Sequence, residues 1–134
     1  MPDDGRIRCS GCALADVEAD LPFREGLGYA SQLSETGTTR VSTRPLDTMG
    51  LSPTFLKLHL EGGEFAALKG AWKTLLLNRP IVTATIYHNA DGIWRSPLWL
   101  METLCDYRFL FRLHSWCGTG AVIYAIPNER FGMA

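Results

Sequence analysis

Two ionisable side chains, His59 and Glu61, stand at the end of an apolar run and alternate with leucines. Residues two apart along a strand point to the same side, so we expect both side chains to lie together where the strand ends. A histidine exchanges a proton near neutral pH, and a carboxylate accepts one, so the pair has the groups needed to deprotonate a hydroxyl. The structural alternative is that both groups only hydrogen-bond to amides of the following loop.

His88 follows a second apolar, β-branched run and is the third candidate for this site. The carboxyl ends of parallel strands meet at one edge of a sheet, where such folds bind ligands. We therefore predict that His88 lies in the same crevice as Glu61. Between the two runs, Gly62 and Gly63 are predicted to serve a tight turn, and Glu64 to place a negative charge in the first turn of a helix.

These side chains need a sheet to hold them, and the regular pattern between residues 54 and 127 predicts one. The predicted elements are strand 55–60, helix 64–77, strand 81–87, a helix that starts at Ser96 and Pro97, strand 107–114 and strand 121–126. This order predicts an α/β fold with a mostly parallel sheet, an antiparallel C-terminal hairpin and helices on the sheet faces.

The N-terminal part has a different character, because residues 6–47 are rich in turn-forming residues. Short strands are predicted there at residues 7–14, 20–24 and 39–44. A chain of 134 residues has the size of one domain. We therefore expect a single domain over residues 1–134, with a turn-rich part at 6–47 and a regular α/β unit at 54–127.

Composition argues against several classes of partner and location. A net charge of −1 favours neither nucleic acid nor a membrane surface. No apolar run reaches the roughly 18 residues that a membrane helix needs. The acidic start of the chain lacks the apolar core of a secretion signal, so we expect a cytoplasmic location with reduced thiols.

Cys9 and Cys12 have the two-residue gap seen in zinc and redox sites. Cys105 and Cys117 are too far apart in the chain to form the second half of a zinc ribbon, and no histidine pairs with these cysteines. The sequence therefore predicts no metal ligands. A zinc-binding module through Cys9 and Cys12 is kept as the weaker alternative.

The segment after strand 55–60 resembles one family, the FkbM-type methyltransferases. In that family a strand is followed by Asp-x-Glu-Gly-x-Glu and then by a helix that contains Leu-x-Gly-Ala. The chain keeps five positions of this pattern: Glu61, Gly62, Glu64, Gly70 and Ala71. His59 stands where the family has its first Asp.

Further pieces of the family pattern follow in the expected order between about Cys12 and Pro127. They are Leu46-Asp47, Arg79-Pro80, Tyr87-His88 with Asp91 and Trp94, the strand from Tyr107 to His114, and Val122 to Ala125. The resemblance implies part of a Rossmann-like class I methyltransferase sheet. It also implies O-methyl transfer from S-adenosylmethionine to a small metabolite or sugar, with Glu61, His59 and His88 as catalytic residues.

The chain departs from the family at the cofactor site. The family binds its cofactor through a glycine-rich turn after the first strand and an acidic residue after the second. No Gly-x-Gly follows a buried strand here, and Gly26-Leu27-Gly28 is predicted to be a loop, so the resemblance assigns no cofactor-binding residue. The chain is similar to the C-terminal half to two-thirds of such an enzyme. The alternative function is therefore a truncated, non-catalytic half-domain that needs a partner chain or an N-terminal segment.

A sheet of this kind without its first strand would leave strand 55–60 with an unpaired apolar edge. Such an edge invites pairing with another strand. We predict that strand 39–44 or strand 7–14 pairs with it, or that the chain associates with itself or with a complementing chain there. The other expected partner is the small-molecule methyl acceptor.

Overall fold

The computed structural model describes residues 5–132, and in this range eight strands form two four-stranded mixed sheets. The strands are β1 (Ala13–Leu14), β2 (Ala19–Arg24), β3 (Gln32–Leu33), β4 (Thr39–Arg44), β5 (Phe55–Leu58), β6 (Ile81–Thr85), β7 (Tyr107–Leu113) and β8 (Ala121–Pro127). The α-helices are α1 (Glu64–Lys69), α2 (Trp72–Asn78) and α3 (Gly92–Thr103). The predicted α/β class is confirmed.

The C-terminal sheet has the strand order β5-β6-β8-β7. β5 and β6 pair in parallel, whereas β8 lies between β6 and β7 and runs antiparallel to both. The predicted antiparallel C-terminal hairpin is confirmed as β7 and β8. β5, β6 and β7 run in the same direction, but β8 lies between β6 and β7. The only parallel neighbours in this sheet of the described residues are therefore β5 and β6. The sheet is therefore mixed and not mostly parallel in its pairing.

The N-terminal strands form a sheet of their own, in the order β1-β4-β2-β3. The predicted strand 39–44 is confirmed as β4, but the predicted strand 7–14 shortens to Ala13–Leu14. β4 pairs with β2 over five residue pairs, and the buried Thr43 hydroxyl donates to the carbonyls of Val17 and Ala19 at the start of β2. The prediction that either strand pairs with β5 is therefore wrong, because the hydrogen bonds of β4 are used within its own sheet.

The core lies on one face of the C-terminal sheet. Alternate residues of its strands are buried there against helix residues: Leu56, Leu58, Val82, Ala84, Ile123 and Ala125 meet Ala67, Leu68, Leu75 and Leu100. The opposite face carries Phe55, which is 55% exposed, and the exposed residues Lys57, Arg108 and Arg112. Helices were predicted on the sheet faces, and the described helices bury their apolar side chains against the first face, where the core lies.

The two parts of the chain meet at the joint between α1 and α2. A Cβ atom at Gly70 would lie 2.0 Å from the carbonyl oxygen of Ala15, so only glycine permits this approach. Beside it, the Asp47 carboxylate accepts hydrogen bonds from the backbone N–H groups of Lys73 and Thr74 at 3.0 and 2.8 Å. Asp47 therefore caps the N-terminus of α2 from a distant segment.

Two predicted helices differ from those observed. The predicted helix 64–77 is divided into α1 and α2 at Gly70 and Ala71, where the backbone leaves helical geometry and contacts Ala15. α3 begins at Gly92 and not at Ser96, because the Asp91 carbonyl accepts the N–H groups of Trp94 and Arg95. None of the described helices has the length and apolar character to cross a membrane.

Candidate functional site

The turn between β5 and α1 carries the candidate site, and its backbone has an unusual shape. Glu61 has a φ of 49° and Gly62 a φ of 107°, both in the left-handed half of conformational space. Glycine tolerates such angles, whereas a glutamate there costs roughly 1 kcal/mol. Asn89, from the loop after β6, donates to the Gly62 carbonyl at 2.8 Å and thereby joins the two strand ends.

The three predicted site residues converge at this edge of the sheet. The Nε2 atom of His59 lies 3.2 Å from Oε1 of Glu61, and Nε2 of His88 lies 3.4 Å from the same oxygen. The two imidazole rings are 5.1 Å apart between centroids. The structure thus places His59, Glu61 and His88 in one cluster, as predicted, while their catalytic role stays a prediction.

The Glu64 carboxylate accepts four hydrogen bonds that position the cluster. Its Oε1 accepts hydrogen bonds from the Leu60 backbone N–H at 2.8 Å, from the Thr85 hydroxyl at 2.7 Å and from His88 Nδ1 at 2.7 Å. Its Oε2 accepts the Gly62 backbone N–H at 3.0 Å. Both oxygens are therefore used, which locks the turn and the two strand ends together.

The surroundings of Glu64 favour its charged form. Burial raises the pKa of this carboxyl, but hydrogen bonds from Thr85, from the backbone N–H of Leu60 and from His88 outweigh burial, so the pKa lies below its ordinary value. A charged carboxylate has no proton to give. The proton between Glu64 and His88 therefore sits on Nδ1 of His88.

His88 is left with one unsatisfied atom. Its side chain is 8% exposed, and its Nε2 is buried without a hydrogen-bond partner, although it lies close to Glu61. Nδ1 of His88 faces Glu64 at 2.7 Å, and Nε2 faces Oε1 of Glu61 at 3.4 Å. A buried polar atom of this kind is uncommon and requires an explanation, such as a bound water molecule or ion.

The cluster opens to cavities on two sides of His59. A cavity of about 150 Å³ lies between the turn and the N-terminal sheet, and its lining includes His59, Glu61, Phe23 and Tyr29. A second cavity of about 290 Å³ lies along the exposed sheet face and is lined by His59, Thr85, Tyr87, His114 and Tyr124, among others. His59 is 44% exposed and forms part of both walls, so a small molecule can reach the cluster.

Sequence reasoning missed two contributors, Glu64 and Thr85. Glu64 was predicted only as a charge in a first helical turn, whereas it binds groups from the turn after β5, from β6 and from the loop after β6. Thr85 is the last residue of β6 and is buried. A hydroxyl at the end of a buried strand, three residues before a histidine, is the one sequence signal that could have indicated it.

The cysteine pair lies outside this cluster. Cys9 is exposed and Cys12 half-buried, and both are free thiols. Within residues 5–132, the group of three or more ligand-type side chains that comes close enough to hold a metal is His59, Glu61 and His88. The zinc-binding alternative through Cys9 and Cys12 thus gains no third ligand from the described residues.

The described residues do not offer a glycine-rich cofactor turn. Gly26 and Gly28 have positive φ, and a Cβ atom at either would meet only open space. They follow β2 of the N-terminal sheet and precede a single 3₁₀ turn at Gly28–Ala30, not an α-helix. This is the predicted loop, and it lacks the arrangement of strand, glycine-rich turn and helix that holds a cofactor in sheets of this kind.

Comparison with known proteins gives a family and a fold. A family model described as the methyltransferase FkbM domain matches residues 12–111. The crystal structure of the methyltransferase FkbM from Methylobacillus flagellatus KT is similar, with a TM-score of 0.72 and 23% identity, over 90% of this chain. This chain spans 28% of the length of that one. A search of curated proteins gave no match.

Proposed function

The chain belongs to the methyltransferase FkbM domain family, and we propose that it provides the acceptor side of methyl transfer from S-adenosylmethionine to an oxygen of a small metabolite or sugar. One observation carries this proposal. His59, Glu61 and His88 converge at the carboxyl edge of β5 and β6, beside a cavity open to small molecules. Ligands of α/β sheets bind at this edge.

The proposed work of these residues is positioning and proton removal. The hydroxyl of the acceptor binds next to Oε1 of Glu61, which accepts its proton as the oxygen becomes a nucleophile. His59 and His88 flank this oxygen and hold the acceptor in one orientation, a contribution that can be large in a two-substrate reaction. S-adenosylmethionine supplies the methyl group when bound, and no residue of this chain is assigned to hold it.

The sheet supports the same proposal at the level of the fold. β5 and β6 form the parallel pair, and the last strand inserts antiparallel next to β6. We take this as the C-terminal part of a Rossmann-like class I methyltransferase sheet. A cytoplasmic location agrees with the four free thiols at Cys9, Cys12, Cys105 and Cys117.

A second candidate function is a non-catalytic half-domain that a further segment or chain completes. β5 is the outermost strand of its sheet, with no strand of residues 5–132 on its outer side. Phe55 and Lys57 are exposed on the sheet face without helices. An open edge beside an exposed face is a surface that a complementing chain, or a second copy, can cover.

Release of S-adenosylhomocysteine distinguishes the two candidates. The chain is incubated with a large excess of S-adenosylmethionine, to offset weak binding of the cofactor, and with a panel of small hydroxyl acceptors, sugars included. Methyl transfer predicts release that depends on an acceptor and is lost in Glu61→Gln, which keeps the size of the side chain and removes its charge. Glu25→Gln, a change at an exposed loop residue, serves as the matched control. Absence of acceptor-dependent release with every acceptor would favour the half-domain.

A further inference from the structure

We propose that His59, Glu61 and His88 bind a divalent transition-metal ion. The ligand atoms are Nε2 of His59, a carboxylate oxygen of Glu61 and Nε2 of His88. The sequence predicted no metal ligands, because the spacing of its cysteines and histidines is not that of a metal site. The three residues become neighbours only when the ends of β5 and β6 meet at one sheet edge.

The spacing of the atoms fits one ion. Zinc binds histidine nitrogen and carboxylate oxygen at about 2.0–2.2 Å, so two ligands in tetrahedral positions are about 3.4 Å apart. The distances from Glu61 Oε1 are 3.2 Å to His59 Nε2 and 3.4 Å to His88 Nε2. All three residues offer ligand atoms within 4.8 Å of one another. Because the His59 side chain is 44% exposed, it is free to close the remaining gap.

His88 supplies a second, independent observation. Its side chain is more than nine-tenths buried, yet its Nε2 has no hydrogen-bond partner and lies next to Glu61. Leaving such an atom unpaired costs free energy that a bound ion would recover. This atom lies 3.4 Å from Oε1 of Glu61 without forming a hydrogen bond to it, so Nε2 is available to a ligand.

Glu64 completes the arrangement behind His88. Metal-bound histidines characteristically donate their other ring N–H to a carboxylate or carbonyl, which fixes the ring and its tautomer. Here Nδ1 of His88 lies 2.7 Å from Oε1 of Glu64. The four groups on Glu64 fix this carboxylate in turn, so Nε2 of His88 is held in one direction before any ion arrives.

The donor set selects the class of ion. Two imidazoles and one carboxylate suit zinc, iron, cobalt and nickel, whereas magnesium and calcium prefer all-oxygen sites. Three protein ligands also leave a coordination position for water or for an oxygen of a small molecule. The site therefore fits a metal that takes part in binding or chemistry better than a closed structural metal.

The metal proposal goes beyond the proposed methyl transfer and does not depend on it. With an ion bound, Glu61 would serve as a ligand in place of its role as a base, and the ion would supply Lewis-acid chemistry at an oxygen of the bound small molecule. Without methyl transfer, the same ligands would still bind the ion. Metal binding is therefore measured directly, with no methyl donor in the experiment.

The test uses the full chain with Cys9→Ser and Cys12→Ser, which removes the thiol pair as a competing zinc site. After treatment with a chelator, the protein is titrated with Zn²⁺ in a calorimeter, and with Co²⁺ while its visible absorption is recorded. We expect one ion per chain and a cobalt spectrum typical of nitrogen and oxygen ligands. Absence of Zn²⁺ binding would overturn the proposal.

Single variants locate the site. His59→Gln and His88→Gln should abolish the saturable binding, and Glu64→Gln should weaken it roughly 10- to 100-fold through the orientation of His88. His114→Gln is the matched control, because His114 is an exposed histidine that hydrogen-bonds to Tyr124. Circular dichroism checks the fold of each variant. If His88→Gln does not fold, the test depends on His59→Gln, because His59 is exposed and its substitution should leave the fold intact. Unchanged Zn²⁺ binding by His59→Gln would overturn the proposal.

Discussion

The Nδ1 atom of His88 lies 2.7 Å from Oε1 of Glu64, so a carboxylate in the first turn of α1 fixes the histidine that follows β6. The same oxygen accepts the backbone N–H of Leu60 and the hydroxyl of Thr85. One buried carboxylate therefore ties the ends of two parallel strands and sets the direction in which His88 points.

Glu64→Gln should lower the free energy of unfolding by about 1–3 kcal/mol, because an amide nitrogen cannot accept the hydrogen bonds that one carboxylate oxygen receives. Urea unfolding followed by circular dichroism measures the change. Glu102→Gln, on the exposed side of α3, is the control and should change stability little. Equal stability of both variants would contradict the role of Glu64 as the hub of the turn.

The free energy of unfolding of Glu61→Gly should exceed that of Glu61→Ala by roughly 1 kcal/mol. Glu61→Gly should therefore unfold at a higher urea concentration. Both variants lose the carboxylate, but only glycine relieves the left-handed backbone at a φ of 49°. The comparison therefore isolates the backbone conformation from the chemistry of the side chain. Equal midpoints for the two variants would show that this position is not strained.

Glu129 should contribute to stability at neutral pH and lose its contribution in acid. Its pKa is lowered from 4.5 to about 2 by the hydrogen bonds of Arg79, which approach its carboxylate at 2.7 and 3.0 Å. A carboxyl whose pKa is lowered by folding stabilises the folded state when the pH is above its ordinary pKa of 4.5. This contribution disappears as the pH falls from 4.5 toward 2.

The measurement compares thermal unfolding of the parent chain and of Glu129→Gln between neutral pH and pH 2. The variant should melt at a lower temperature near neutrality, and the difference should shrink steadily below pH 4.5, the ordinary value for this carboxyl. A difference that persists unchanged in acid would mean that Glu129 stabilises the chain by something other than its charge.

S-adenosylmethionine should bind to this chain weakly or not at all in a calorimetric titration. The reason is structural, since Gly26 and Gly28 lie in an open loop and the described residues form no glycine-rich turn between a buried strand and a helix. A saturable isotherm with micromolar affinity would contradict this expectation.

Features that depend on neighbours in the chain could be predicted from sequence, and features that depend on distant contacts could not. The alternation of Thr39–Arg44 predicted β4 with its observed bounds. Ser96 and Pro97 resemble a helix start, but Pro97 is buried within α3, which begins earlier at the Asp91 cap. The serine–proline pattern indicates a helix start only locally. The helix begins earlier, at Gly92, because the Asp91 carbonyl accepts the N–H groups of Trp94 and Arg95.

The site shows the same division. That His59, Glu61 and His88 share an edge follows from strand ends and was predicted. The role of Glu64 was not, because its partners Thr85 and His88 are 21 and 24 residues further along the chain. Helical spacing likewise could not reveal the break at Gly70, which exists because Ala15 contacts the backbone there.

The cap on α2 also has a consequence for how the chain folds. Asp47 reaches this helix from 26 residues away. A helix of seven residues is too short to persist by itself, so its first turn is completed only after the segment around Asp47 has docked. Closure of that loop costs entropy before the capping bonds form. The N-terminal sheet and the helical layer are thus expected to form together, in one cooperative and comparatively late step.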